Sequence, residues 1–232
     1  MAEINAAALP NLQFTGYILH ELQAPLASTL LIAQNLAEQL YGPLSGKQAD
    51  ALNDLINLVL KQRWTLNNIL HFLNMQNAML NIRPEMLRLD TLIYRAARLF
   101  IAEARIKGVE ILIEMPKDSS LQYKGDPSYI DAILTNLISN AVKFTDEGMI
   151  TIRAGKGAGK IWIEVRDTGI GIMEADHKKI FEPFMRLRTG PGIGIGLAIV
   201  KKFVEFHSGE LCLQSKFLEG STFTVKFPLD NP

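Results

Sequence analysis

Apolar residues recur every seven positions in two runs near the start of the chain. They are Leu19, Leu26, Ala33 and Leu40 in the first run, and Leu52, Val59, Leu66 and Leu73 in the second. Heptad spacing is typical of helices that bury one stripe against another helix. The glycine, proline and serine within Tyr41–Gln48 separate the runs. The pattern therefore predicts an antiparallel helical hairpin over residues 1–83.

A two-helix hairpin buries only part of such a stripe. Pairing with a second copy into a dimeric four-helix bundle would cover the remainder. Packing of the hairpin on the rest of the same chain is the alternative, and the pattern leaves both open.

From Pro84 onward, short apolar runs alternate with helical patterns, and Pro84 itself discourages continuation of the preceding helix. Turn signals separate neighbouring strands. The pattern predicts an α/β sandwich over residues 84–232, with helices on one face of a mixed sheet, in a chain that is α+β overall. The predicted strands are Glu85–Leu89, Val109–Met115, Met149–Ala154, Lys160–Arg166, Glu210–Gln214 and Thr222–Phe227; the predicted helices are about Leu92–Lys107, Pro127–Val142 and Leu197–His207.

Composition narrows the class of protein. The 24 basic side chains equal the 24 acidic ones, so no overall basic field argues for nucleic acid as a partner. No apolar run approaches the roughly 18 residues of a membrane span, and no signal-peptide pattern is present. The single Cys212 excludes an internal disulfide and fits a reducing compartment. We expect a cytoplasmic chain, or the cytosolic part of a longer protein.

The segment HELQAPL carries a candidate nucleophile, His20. On a helix, His20 points about 100° away from Leu19 and hence away from the apolar seam. Neutral imidazole is nucleophilic near pH 7, and Glu21 could accept its proton. Pro25 should disturb the helix nearby. From this segment alone, an exposed surface histidine in a kinked helix is an equal alternative.

The segment NLISNAVKFT places Asn136, Asn140 and Lys143 on one strip of a predicted helix, beside its apolar stripe. Asparagine is unfavourable inside helices, an amide oxygen can bind Mg²⁺, and lysine can neutralise phosphate. A polar helix flank is the alternative. Asp126, just before Pro127, is a candidate N-cap of this helix.

Two glycine-rich segments follow. In DTGIGI, Asp167 could accept a hydrogen bond from the amine of adenine, and Gly169 and Gly171 would let backbone approach a flat ring. In the second, Gly192, Gly194 and Gly196 lead into a helix whose first N–H groups would suit phosphate. The alternatives are an ordinary hairpin turn and a flexible linker.

Taken in order, these segments resemble the motifs of sensor histidine kinases of two-component signalling. The resemblance runs from about Phe14 to Pro228 and includes IFEPFMR at Ile180–Arg186 and EGSTFTVKFP at Glu219–Pro228. It implies ATP and Mg²⁺ as cofactors and, for residues 84–232, the ATP-binding fold shared with gyrase- and Hsp90-type ATPases.

The resemblance also implies a role for each candidate residue. His20 would be phosphorylated with help from Glu21, Asn140 would bind Mg²⁺ with support from Asn136, and Lys143 would contact phosphate. The remaining nucleotide contacts would be Phe144 beside the ring, Asp167 on adenine with Gly169, Gly171 and Thr222, Arg186 from a lid, and Gly192, Gly194 and Gly196 around the phosphates.

The function implied is autophosphorylation of a homodimer, followed by transfer to an aspartate in the receiver domain of a response regulator. A catalytically weak scaffold would show damaged motifs. A gyrase- or Hsp90-type ATPase would need a glutamate where Asn136 stands. In this family a Thr or Asn often takes the place of Ala24, so the resemblance also implies weak phosphatase activity.

Overall fold

The chain divides into two compact units, Met1–Leu80 and Asn81–Pro232, called here the helical unit and the sheet unit. The computed structural model describes residues 8–76, 82–116, 121–187 and 193–229, with side chains from residue 21 onward. Among these residues, no helix has the length and apolar composition needed to cross a membrane.

The helical unit is a hairpin of two long helices, α1 (Ala8–Ala37) and α2 (Gly46–Gln76). At the start of α2, the side chain of Gln48 accepts hydrogen bonds from the backbone N–H and the hydroxyl of Ser45, the residue before the helix, both at 2.9 Å, as in a capping box. Gln23 of α1 donates a 2.6 Å hydrogen bond to Asn67 of α2, which is the pairing expected of an antiparallel hairpin.

Burial within the hairpin follows the heptad pattern only in part. Ala33 and Val59 are buried, whereas Leu22 and Leu55, which lie on the same helix faces three residues after Leu19 and Leu52, are exposed. Leu40 is exposed as well, because α1 ends at Ala37 and Leu40 lies in the turn beyond it. Packing between the two helices therefore leaves part of the apolar stripe exposed to solvent.

Among its described residues, the sheet unit contains four α-helices and seven strands, together with two short 3-10 helices, Glu174–Asp176 and Lys179–Phe181. In chain order the α-helices and strands are β1 (Glu85–Arg88), α3 (Leu89–Arg98), α4 (Ile101–Ile106), β2 (Val109–Glu114), β3 (Gln122–Gly125), α5 (Pro127–Phe144), β4 (Gly148–Gly157), β5 (Lys160–Asp167), α6 (Gly196–Phe206), β6 (Glu210–Lys216) and β7 (Gly220–Pro228).

Five strands form one mixed sheet in the order β2-β4-β5-β7-β6. Strand β2 runs parallel to β4, and the other neighbours are antiparallel. Strand β6 is an edge strand and exposes Cys212. Alternate residues of β5 are buried, namely Ile161, Ile163 and Val165, so one face of the sheet forms the core against the helices.

The structure corrects two details of the predicted elements. Strand β1 lies outside the main sheet and pairs with β3, a strand that the sequence pattern missed. The helix predicted over Leu92–Lys107 is two helices, because buried Phe100 leaves helical geometry with φ −114° and ψ −4°. Predicted helices at Pro127–Val142 and Leu197–His207 are confirmed as α5 and α6.

Candidate functional site

Helix α5 carries the predicted polar strip and is fixed firmly at its N-terminus. As predicted, Asp126 caps the helix, since its side chain accepts the N–H groups of Ser128 and Tyr129. The other carboxylate oxygen accepts the N–H of Arg83 at 2.8 Å. The backbone N–H of Asp126 donates to Nε2 of fully buried His207 at 3.2 Å, so one aspartate joins three segments.

Along the polar strip, the structure separates Asn136 from Asn140 and Lys143. Asn136 is buried and donates to the carbonyl oxygen of Ala132 at 2.7 Å. Its Oδ1 lies 2.5 Å from where a Cβ on Gly196 would stand, so α6 begins directly against it. Asn140 and Lys143 are half-buried and accessible. Asn136 thus supports helix packing, and the latter two can meet a ligand.

Asp167, at the end of β5, is a buried hydrogen-bond acceptor with 6% exposure. Its Oδ1 accepts the N–H groups of Gly169 at 2.9 Å and of Ser221 at 3.3 Å. Burial raises the pKa of this carboxyl group, and the two backbone hydrogen bonds oppose that rise. Within the described parts of the chain, Oδ2 accepts no hydrogen bond and remains available to a donor.

Thr222 does not lie beside Asp167. The register pairs Asp167 with Ser221 and Arg166 with Thr222, and successive residues of a strand face opposite sides of the sheet. Ser221 therefore takes the position predicted for Thr222, and its hydroxyl lies 2.9 Å from that of Ser215. The motif letters S-T in EGSTF leave a one-residue ambiguity that only strand register resolves.

The glycines of DTGIGI are required by neighbouring backbone. A Cβ on Gly169 would lie 2.2 Å from the carbonyl oxygen of Phe144, at the end of α5. Gly171 has φ +62°, and its Cβ would lie 1.9 Å from the carbonyl oxygen of Lys216. Between them, the N–H of Ile170 donates to Phe144 at 3.1 Å. The turn is thus held against both α5 and the β6–β7 connection.

Lys143, near the end of α5, is close enough to Arg186 for the two positive charges to interact. Burial lowers the pKa of Lys143, and the charge of Arg186 lowers it further. The ammonium group of Lys143 also lies over the ring of Phe144, 4.9 Å from its centroid. Half-buried positive charge near a second cation is unfavourable by itself, and an anion between the two would relieve it.

The second glycine segment leads into α6, as predicted. Gly194 has φ +80°, and its carbonyl oxygen accepts the N–H of Phe184 at 2.8 Å. Helix α6 then begins at Gly196, and no side chain of the described residues caps it, so its first N–H groups can bind an anion. Gly192 lies outside the described residues.

Two polar residues at the end of α5 were missed by sequence reasoning. Thr145 is fully buried, and its hydroxyl has no hydrogen-bond partner among the described residues. Lys107, from the end of α4, donates to main-chain oxygens at this same place. Thr145 ends the segment NLISNAVKFT, whereas nothing in the sequence around Lys107 signals its contact with α5.

The candidate nucleophile belongs to the helical unit. The backbone of His20 lies within α1, and its side chain is outside what the structure describes. Glu21 is exposed. Pro25 lies inside α1, where its missing N–H leaves the carbonyl group of Glu21 without the usual helical donor. The turn following His20 therefore lacks one of its backbone hydrogen bonds.

Comparison with known proteins defines the class of the sheet unit. Residues 125–231 match the family of histidine kinase-, DNA gyrase B- and HSP90-like ATPases. The chain resembles full-length ShkA, solved in complex with AMPPNP, with a TM-score of 0.67, 25% identity and coverage of 95% of this chain and 46% of that one. The catalytic domain of histidine kinase ThkA gives a TM-score of 0.58 and 28% identity, over 63% of this chain and 96% of that one.

Curated relatives extend the similarity across both units. The circadian input-output histidine kinase CikA of Synechococcus elongatus is 30% identical over 98% of this chain and 31% of its own length. The autoinducer 2 sensor kinase/phosphatase LuxQ of Vibrio vulnificus is 34% identical over 98% of this chain and 28% of its own length. The chain therefore spans about a third or less of these relatives. It belongs to the sensor histidine kinases of two-component signalling.

Proposed function

We propose that this chain is an ATP-dependent protein-histidine kinase. It autophosphorylates His20 and passes the phosphoryl group to an aspartate of a response-regulator receiver domain. Residues 1–83 serve as the dimerisation and phosphoacceptor part, and residues 84–232 bind the nucleotide. The observation that carries the proposal is that three features of the sheet unit border helix α5: the turn after the buried acceptor Asp167, which meets Phe144; the Lys143 side chain near Arg186; and the start of α6 at Gly196, which meets Asn136.

Asp167 provides the base-recognition end of this site. The free Oδ2 of a buried carboxylate would accept a hydrogen bond from the exocyclic amine of adenine. Phe144 would lie beside the ring, and Ser221 holds the carboxylate from behind. The AMPPNP complex of ShkA supports ATP as the nucleotide, since that protein resembles this chain in fold and sequence.

Positive charge indicates which part of the site would bind the phosphate groups of the nucleotide. Lys143, Arg186 and the first N–H groups of α6 each carry positive charge or donors that would favour a polyphosphate. Asn140 is half-buried on the same face of α5 and offers an amide oxygen, a ligand type that Mg²⁺ accepts alongside phosphate oxygens and water. When bound there, Mg²⁺ supplies charge neutralisation for the transferred group.

The reaction proposed for His20 is in-line phosphoryl transfer. A ring nitrogen of His20 forms a bond to the γ-phosphorus, the bond from that phosphorus to the bridging oxygen breaks, and ADP leaves with the electron pair. Glu21 accepts the ring proton from the other nitrogen or orients that nitrogen. Transfer to an aspartate then exchanges the phosphorus–nitrogen bond for an acyl phosphate.

Exposed leucines support a homodimer of the helical unit. Leu31 and Leu58 are even more exposed than Leu22 and Leu55, and all four lie on the helices of the hairpin. A second copy would bury them in a four-helix bundle.

Labelling with γ-labelled ATP and Mg²⁺ tests the reaction directly. We expect the native chain to acquire label that is stable to alkali and lost in acid, and we expect His20→Gln to acquire none. His177→Gln is the matched control, since His177 belongs to the sheet unit and should label normally. Equal labelling of the native chain and His20→Gln would overturn the assignment, and nucleotide binding without any labelling would favour a catalytically inactive scaffold.

A further inference from the structure

Lys107 makes an unusual set of contacts at the end of α5. It lies just after α4, and its ammonium group reaches the main chain of another helix. Three carbonyl oxygens accept from Nζ: those of Val142 at 2.8 Å, Lys143 at 3.1 Å and Thr145 at 3.2 Å. An ammonium group has three N–H donors, so the three contacts account for all of them.

These contacts fall where a helix most needs donors. The last four carbonyl groups of a helix have no partner within it, and they carry the negative end of the helix dipole. Lys107 binds those of Val142 and Lys143, while Ile170 of the glycine turn binds that of Phe144 at 3.1 Å. The end of α5 is therefore held from two sides, by Lys107 and by the turn that follows Asp167.

The residues held in this way, at the end of α5, belong to the candidate nucleotide site. Lys143 presents its carbonyl group to Lys107 and its side chain towards Arg186. Phe144 follows with its ring beneath the Lys143 ammonium group, and Thr145 closes the helix with its buried hydroxyl. A shift of these backbone units would move all three side chains together.

We propose that Lys107 is a positioning residue for nucleotide binding, an inference that rests on the proposed kinase function. It touches no substrate atom. By filling the carbonyl end of α5, it fixes the direction of Lys143 and the position of Phe144 against the glycine turn. Loss of its donors lowers nucleotide affinity through these two residues.

The acidic neighbour of Lys107 does not explain its position. The carboxylate of Asp146 lies 3.9 Å from Nζ, and its side chain is 77% exposed. An ion pair of that length in water contributes little. The carbonyl contacts are shorter and lie in a part-buried place, so the main chain of α5 is the principal partner.

Binding of AMPPNP to the full-length chain, measured by titration calorimetry, tests the inference. We expect Lys107→Met, which keeps the length but has no donors, to raise the dissociation constant about tenfold. Lys107→Arg keeps the charge and several donors and should recover most of the affinity. In labelling assays, Lys107→Met should raise the KM for ATP while kcat changes by less than about threefold, a split that general loss of folded protein would not produce.

Two controls complete the test. Asp146→Asn removes the ion pair and should leave affinity unchanged. Lys156→Met makes the same substitution at an exposed lysine of β4 and should also bind normally. Where Lys107→Met does not fold, Lys107→Gln, with two donors, replaces it and should fall between Lys107→Arg and complete loss.

The outcomes separate this inference from the function on which it rests. A native chain that fails to bind AMPPNP would contradict the proposed function. A native chain that binds, together with Lys107→Met of equal affinity, would overturn the role of Lys107 alone. Weakening by Asp146→Asn to the same extent as by Lys107→Met would show that the ion pair, and not the helix end, is responsible.

Discussion

The two units of this chain differ in how many of their apolar side chains they bury. Over the described side chains of the helical unit, only three apolar residues are buried: Leu30, Ala33 and Val59. Helix α5 of the sheet unit buries more than that by itself, including Ile133, because the sheet and two helices cover it. The sheet unit thus completes its own core, whereas the hairpin leaves leucines for a further surface to cover.

This difference has an energetic meaning. Burying a leucine side chain contributes roughly 2 kcal/mol relative to leaving it in water. The sheet unit has already gained this contribution at most of its large apolar positions. In the proposed dimer the hairpin would gain it on association, so we expect the stability of the helical unit to depend on protein concentration and that of the sheet unit not to.

The largest expected effect comes from placing a charge at an exposed leucine of the hairpin. Leu58→Asp replaces a leucine that is 60% exposed on α2. In a symmetric dimer the change occurs twice, so we expect the dissociation constant of the dimer to rise by about two to three orders of magnitude. Sedimentation equilibrium measures this directly.

The matched control is an exposed leucine of the sheet unit. Leu218 is 71% exposed in the β6–β7 connection, and Leu218→Asp should leave the oligomeric state unchanged. If both substitutions were equally harmless, the contrast between the units would disappear, and the hairpin would have to be covered within one chain.

A smaller effect is expected from acid on the sheet unit. His207 is fully buried, and burial lowers its pKa below 6.5, although the carbonyl oxygen of Phe203 and the charge of Asp126 oppose this. The unfolded chain binds a proton at this residue more readily than the folded one. The stabilisation is therefore complete above pH 6.5 and is lost as pH falls below it, by at most about 1.4 kcal/mol per pH unit.

Urea unfolding between pH 7.5 and 5 checks this prediction. Trp162 reports on the sheet unit when Trp64 of the helical unit is replaced by phenylalanine. His207→Gln should flatten the acid dependence relative to the parent, and the contribution of Asp167 cancels because both proteins share it. His71→Gln, on α2, should leave the dependence as it was, and flattening by both variants would contradict the assignment.

The smallest effects are expected at exposed polar contacts in either unit. Arg95 and Asp131 form a 2.7 Å ion pair between α3 and α5, with side chains 59% and 36% exposed. Gln23 and Asn67 form the corresponding cross-helix contact of the hairpin. Double-mutant cycles should give coupling below about 1 kcal/mol for each pair. A larger value in the hairpin alone would indicate that its helices depend on polar pairing.

Much of the fold follows from the sequence because periodicity reflects local geometry. The stripe of α5 and the alternation of β5 each indicate one buried face. Strand β3 was missed because its four residues, QYKG, include only one large apolar side chain, that of Tyr123, so its alternating burial is not matched by an alternation of apolar residues. The parallel pairing of β2 with β4 joins residues far apart in sequence, and no local pattern encodes it.

The residues of the candidate site also fall into two groups, those that local spacing predicts and those that depend on tertiary contacts. Asn140, Lys143 and Asp167 follow from spacing along single elements. Ser221 required the register between β5 and β7, and Lys107 required the packing of α4 beside α5. Asn136 packs against the start of α6 at Gly196, a contact between residues 60 positions apart that its place in the motif does not indicate. Tertiary neighbours, and not motif letters, decide these cases.

Cys212 offers a practical consequence. It is the sole thiol of the chain and is exposed on the edge strand β6. A maleimide spin label would attach there once per molecule, with no substitution needed beforehand. In a dimer the two labels would report the separation of the two catalytic lobes by electron paramagnetic resonance, and a change in that separation on adding nucleotide would be visible without disturbing the native sequence.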